Sequence, residues 1–148
     1  DASKKAINNT LSNLQWLAKK YELNINDIKL EQISVDQLSQ NLKNQSIDYI
    51  ITEPYLGPPL KGNETEKQIE QNIQELERLY DQALAEFARV LKNKAVVVMI
   101  IPQFNIKNKI KTLNINNLTK FHIINKQELI YYKPHHYIWR NILILENK

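Results

Sequence analysis

Apolar residues recur at helical spacing over Ala2 to Tyr21, where Ala6, Leu11, Leu14, Leu17 and Ala18 share one face and Ser3 is placed to cap the first turn. Trp16, on the same helix, reads as a core residue. From Asp27 to Ser34 the pattern changes to alternation, Ile28, Leu30 and Gln32 against polar neighbours, which predicts a strand. A short polar helix or turn follows from Val35 to Lys43. Ile47 to Thr52 is a near-continuous apolar run, the pattern of a strand buried on both faces of a parallel sheet, and its C-terminal edge is where a ligand loop belongs.

The second half repeats the alternation of strand and helix. Thr65 to Leu91 carries Ile69, Ile73, Leu76, Leu79, Tyr80, Ala83, Phe87 and Val90 at helical spacing, predicting a long amphipathic helix that packs on the sheet. Ala95 to Ile101, β-branched and ending at Pro102, predicts a second fully buried strand. Ile106 to Leu118 fits either a basic helix or an irregular crossover. His122 to Tyr132 and Tyr137 to Glu146 predict two strands, and only an antiparallel hairpin accommodates the short connection Lys133 to His136 between them. The centre is thus a βαβ unit and the end a hairpin, giving one α/β domain over residues 1–148 with a mixed sheet.

Composition narrows the partners without naming one. The 148 residues carry a formal charge of +4, so an acidic partner such as nucleic acid is compatible with the chain. Lys107, Lys109, Lys111 and Lys120 are candidates to line its path, although a charge run is more often a solvated face. Cysteine is absent, which excludes disulfides and thiolate metal sites and suits a cytoplasmic location. The longest apolar run, Ala95 to Ile101, is far short of the roughly 20 residues that span a bilayer. His135 and His136 are adjacent with no carboxylate at ligand spacing, so no metal site is expected.

The loop from Glu53 to Asn63 is the most distinctive segment. It holds Pro54, Pro58 and Pro59 and both glycines of the chain, Gly57 and Gly62, so its backbone is shaped rather than merely flexible. Strand and loop together read Thr52-Glu53-Pro54-Tyr55-Leu56-Gly57. This resembles the Thr-Asp-Pro-Pro-Tyr-Gly loop of the tRNA (guanine-N2) methyltransferases, a THUMP-linked branch of the class I S-adenosylmethionine-dependent methyltransferases. The opening DASKKAINNTLSNLQWL resembles the family segment that begins at the acidic residue after the second strand. HYIWRNILILE resembles its last strand.

The resemblance implies a Rossmann-like, three-layer mixed sheet with a C-terminal antiparallel hairpin, lacking its first strands, so that the chain is the C-terminal two thirds of a catalytic domain. A gap is then expected in the sheet between the predicted Asp27–Ser34 strand and Ile47–Thr52. The glycine-rich turn that approaches the methionine part of the cofactor in the family is also missing. Asp1 matches the acidic residue that accepts hydrogen bonds from the cofactor ribose, and is equally suited to cap a helix. Ser34, with Asp36 two residues on, stands where the family places its adenine-binding Asp.

Methylating an exocyclic amine requires its lone pair to leave conjugation, so the site needs acceptors for the amine hydrogens and a surface for the base. The resemblance assigns these roles to Glu53, the Pro54 carbonyl and Tyr55, with Leu56 and Gly57 against the substrate. Guanine presents N1–H and N2–H side by side, which suits a carboxylate better than adenine does. The implied function is methyl transfer from S-adenosylmethionine to guanine N2 of RNA, with tRNA as partner and an RNA-binding domain outside this chain. Alternatives are a DNA adenine-N6 methyltransferase, or a degenerate domain that binds RNA or a protein without catalysis.

Overall fold

The computed structural model describes residues 1–107, 109–133 and 135–148; Asn108 of the predicted crossover and Pro134 of the predicted hairpin connection lie outside the described residues. In chain order the elements are α1 (Lys4–Tyr21), a 3-10 turn (Val35–Gln37) running into α2 (Leu38–Asn41), β1 (Ile47–Thr52), α3 (Glu66–Val90) and β2 (Leu91–Ile106). There follow β3 (Lys109–Lys111), a second 3-10 turn (Asn116–Lys120), β4 (Phe121–Ile123), β5 (Ile130–Tyr131) and β6 (Ile138–Asn147).

The order β1-β2-β6-β4 makes a mixed sheet, with β3 added to β2 and β5 to β6. β1 and β2 run parallel, joined by α3, while β6 runs antiparallel along β2 from Val96–Glu146 to Phe104–Ile138. The expected mixed α/β sheet with antiparallel C-terminal strands is therefore present.

Local chemistry explains the central crossover. Thr65 and Gln68 form a reciprocal capping box that starts α3. Ile69, Ile73, Leu76, Tyr80, Ala83, Leu84, Phe87 and Val90 then project from one face into the core, meeting Ala95, Val97, Met99 and Ile101 of β2 and Leu143 and Leu145 of β6. Each such side chain removed from water contributes about 1.5 to 3 kcal/mol. A wide bulge opens where β2 leaves the helix, since Ile47 pairs with Leu91 but Tyr49 with Val96. Asn147 fills it, donating Nδ2–H to the carbonyls of Leu91 and Lys92 at 3.3 and 3.2 Å.

Several expectations are corrected. Asp27–Ser34 forms no sheet strand. Ile28 is exposed, and the segment's backbone instead meets Asp1, whose amino group donates to Glu31 O at 3.2 Å while Ile33 N–H donates to Asp1 O at 3.0 Å. That is the bonding pattern of a parallel bridge, one residue long. β1 is not buried on both faces: it has a strand neighbour on one side among the described residues, and Tyr49 and Ile51 are 72% and 83% exposed. With Asp27–Ser34 outside the sheet, β1 is its edge strand among the described residues. Trp16 is no core residue, being 59% exposed, and α1 buries none of its side chains.

Two further differences concern strand length. β2 does not end at Pro102 but continues to Ile106, and Ile106–Leu118 forms neither a helix nor a wholly irregular crossover, since β3 pairs back on β2. The predicted strand His122–Tyr132 is broken into β4 and β5. The polar stretch between them loops away, and Asn125 Oδ1 accepts from Ile144 N–H at 3.1 Å, replacing a backbone acceptor in the ladder.

Candidate active site

The chain leaves β1 at its carboxyl end as Glu53-Pro54-Tyr55, and three contacts fix the turn. Glu53 Oε1 accepts from Arg140 Nε of β6 at 2.7 Å. The hydroxyl of Tyr80, fully buried on α3, lies 3.2 Å from Tyr55 O and 3.3 Å from Ile100 O of β2. Burial, and then the negative charge of Glu53, push the Tyr80 hydroxyl well above its ordinary pKa, so it stays protonated and donates. Gly57 (φ +96°) follows, close over the core; a Cβ there would stand 3.2 Å from Leu76 Cδ1 and 3.9 Å from Phe104 Cζ.

Backbone parity explains why the turn has room. Asn105 N–H donates to Tyr137 O at 2.8 Å, so odd-numbered residues in this part of β2 face β6 and even-numbered ones face the β1 side. On that side pairing with β1 stops at Thr52–Met99 and pairing with β3 begins only at Phe104–Lys111. Between them Tyr80 takes the Ile100 carbonyl, and Pro102 has no N–H to offer.

The turn divides two cavities. One, of about 660 Å³, is lined by Asp1, Ser34, Thr52, Glu53, Pro54 and Tyr55 over an apolar floor that includes Leu38, Ile50, Leu79 and Phe87. The structure thus brings the candidate cofactor residues Asp1 and Ser34 into the same cavity as the three candidate catalytic residues. Asp36 does not line it; it is exposed in the first 3-10 turn. The Asp1 carboxylate already accepts from Ser3 N–H at 2.7 Å, bracing the residue that caps α1. Tyr55 is 61% exposed, its ring available for stacking.

The second cavity, of about 420 Å³, lies on the other side of the loop. It is lined by Leu56, Gly57, Pro59 and Leu60 on one wall and by His135 to Ile138 and Arg140 on the other. The candidate substrate residues Leu56 and Gly57 therefore face a different space from Asp1 and Ser34. The loop continues through a turn in which Glu64 accepts from Lys61 N–H at 2.7 Å and Gly62 N–H at 2.9 Å. The Lys61 hydrogen bond above all holds the Glu64 carboxyl below its usual pKa.

Arg140, Tyr80 and Tyr137 are the residues that sequence reasoning assigned no role. Arg140 reads as the polar position of a strand and Tyr80 as one more apolar residue on a helical face. Their signal is chemical: an arginine inside a largely apolar strand, and a tyrosine where leucine would fill the core. Of the candidate RNA-path lysines, Lys111 is engaged by Glu70 at 3.5 Å, while Lys107, Lys109 and Lys120 are exposed.

No family model matches the chain, and no curated protein matches it in sequence. Solved structures do. A SAM-dependent methyltransferase from Methanosarcina mazei superposes with a TM-score of 0.53 at 12% identity, over 99% of this chain and 79% of its own length. The chain has the fold of a SAM-dependent methyltransferase. A candidate DNA modification methylase from Thermus thermophilus, complexed with S-adenosyl-L-methionine, gives a TM-score of 0.50 at 14% identity over 77% of this chain. The chain spans about half the length of that protein, 51%. No helix among the described residues is long and apolar enough to cross a membrane.

Proposed function

We propose that this chain carries the target-base side, and part of the cofactor side, of an enzyme that transfers a methyl group from S-adenosylmethionine to guanine N2 in RNA, with tRNA as the substrate class. The observation that carries the reading is the Glu53–Tyr55 turn, pinned by Arg140 and Tyr80 between two cavities. A carboxylate fixed at the carboxyl end of a strand and open to solvent on one side is suited to accept hydrogen bonds from an arriving base.

The chain's residues fit the cofactor in part. Asp1 offers a carboxylate for ribose hydroxyls, Ser34 a hydroxyl beside it, and Leu38 and Ile50 an apolar surface for a base. Neither glycine lines this cavity, so a close-approach turn for the methionine part is not supplied from these residues. S-adenosylmethionine, when bound, supplies an electrophilic methyl group. Glu53 accepts the N1–H and N2–H of guanine and the Pro54 carbonyl accepts the remaining amine hydrogen, drawing the N2 lone pair out of conjugation; as the N2–methyl bond forms and the methyl–sulfur bond breaks, the N2 proton that is released would pass to Glu53. Tyr55 stacks on the base, an interaction worth ~1 to 3 kcal/mol.

The test is transfer of labelled methyl from S-adenosylmethionine to tRNA and to duplex DNA, with the products digested to nucleosides. N2-methylguanosine from tRNA, reduced on the order of 100-fold by Glu53→Gln, is the expected result. The likeness to the Thermus protein, a candidate DNA modification methylase, supports a second reading, methyl transfer to DNA, for which the loop chemistry makes adenine N6 the alternative target. Methyladenine from DNA alone would replace the first reading with the second. Transfer to neither, although S-adenosylmethionine binds, would leave a non-catalytic binding domain.

A further inference from the structure

The second cavity is not needed to hold the base edge against Glu53, yet Arg140 joins the two. Its Nε holds Glu53, and the same side chain lines the cavity together with His135, His136 and Tyr137. The lining includes a guanidinium and two imidazoles and no carboxylate among the described residues. Glu53, the nearest acid in the contact network, has its charge turned to Arg140, and Glu64 is occupied by the Lys61 and Gly62 amides.

The walls are also fixed. The Tyr137 ring lies against Gly62 so closely that a Cβ there would collide with Tyr137 Oη, and the Tyr137 carbonyl is bound by Asn105 N–H at 2.8 Å. His136 is held through its backbone at both ends: its N–H donates to Lys133 O at 3.1 Å and its carbonyl accepts from Trp139 Nε1 at 3.1 Å. Trp139 in turn packs on Tyr132 with ring centroids 4.7 Å apart. The donors are thus carried by a braced turn facing a braced loop. The backbone that carries the donors therefore needs little reordering when an anion arrives.

We propose that this cavity binds the phosphate of the nucleotide whose base is presented to Glu53, with Arg140, His135 and His136 as its donors. Phosphate contacts fix the register of a nucleic acid while base contacts specify it, and Arg is the side chain that best matches phosphate geometry. Arg140 then does both: it orients the base acceptor through Nε and anchors the backbone through its terminal nitrogens. The inference rests on the assignment of Glu53 to the target base, and the experiment separates the two.

The full chain, isotopically labelled, is titrated with guanosine, guanosine 5′-monophosphate and inorganic phosphate while amide signals are followed. Gly57 and Tyr137 report on the cavity, and Glu53 and Tyr55 on the base site. The monophosphate is expected to bind about tenfold more tightly than guanosine, the effect of one charge-assisted contact. His135→Gln combined with His136→Gln should lower that ratio without bringing it to one, since Arg140 remains; both histidines are exposed, so an unchanged melting temperature should confirm that the variant folds. Equal affinity for nucleoside and monophosphate, with Gly57 and Tyr137 unmoved, would overturn the phosphate site and leave the base assignment standing. Movement of Gly57 and Tyr137 by phosphate, with Glu53 and Tyr55 indifferent to guanosine, would keep the phosphate site and remove the base assignment. No response to any of the three ligands would overturn both.

Discussion

The Tyr80 hydroxyl, at the centre of α3, lies 3.2 Å from the carbonyl oxygen of Tyr55, so a buried helix residue holds the backbone of the candidate catalytic turn. Tyr80→Phe keeps the ring and deletes only this tie and the one to Ile100. The Tyr55 and Ile100 carbonyls, which share that one hydroxyl proton, both lose it. Stability should fall by about 1 to 2 kcal/mol in denaturant melts. Methyl transfer should fall further than the folded fraction explains.

Glu53→Gln makes the opposite split. The Arg140–Glu53 pair is partly exposed on both sides, with 35% and 48% of the side-chain surfaces open, and such pairs contribute about 0 to 1 kcal/mol. Thermal stability should therefore change little. Because the amide loses the charge and one of the acceptor positions, turnover is expected to drop on the order of 100-fold. A drop in both together would mean that Glu53 is structural.

Glu86 gives a pH signature distinct from the site. Burial pushes its carboxyl up, but hydrogen bonds from Ser39, at 2.7 Å to the backbone N–H, and the Arg89 guanidinium at 3.2 Å outweigh it and hold the pKa below the ordinary 4.5. A lowered folded pKa contributes stability that is fully present above about 4.5, the unfolded value, and lost as pH falls through the folded one. Glu86→Gln should cost about 1 to 2 kcal/mol at pH 7, and the difference from the parent should shrink in melts below pH ~4.

Gly62 combines a positive φ of +89° with a close neighbour, since a Cβ would meet Tyr137 Oη. Gly62→Ala should destabilise by about 2 kcal/mol, of which roughly 1 is the backbone conformation and the rest the collision. Adding Tyr137→Ala should recover the collision part relative to Tyr137→Ala alone. A double-mutant cycle in urea measures that coupling; a value near zero would mean that the ring simply moves aside.

Much of the frame was legible because it rests on local chemistry. Ser3 and Thr65 cap the helices as their sequence context demands, and the apolar face of α3 is buried as its spacing requires. Failures fell where burial depends on what stands alongside. Trp16, Ile28, Tyr49 and Ile51 have the residue types of an interior, but periodicity reports which residues share a face, not whether that face has a cover. His122–Tyr132 failed differently, through the Asn125 side chain entering the ladder in place of backbone. At the site, the Glu53–Gly57 loop was visible as a motif. Its partners Arg140 and Tyr80 were not, because contacts across 87 and 25 positions leave no periodic trace.

Pro102 has a meaning beyond tolerance within a strand. By removing a donor where β1 has ended and β3 has not begun, it erases one rung of a ladder that another strand would otherwise extend. The sheet thereby carries a reserved berth, kept clear by what the backbone cannot offer, and the Glu53–Gly57 turn is the tenant for which the space was kept.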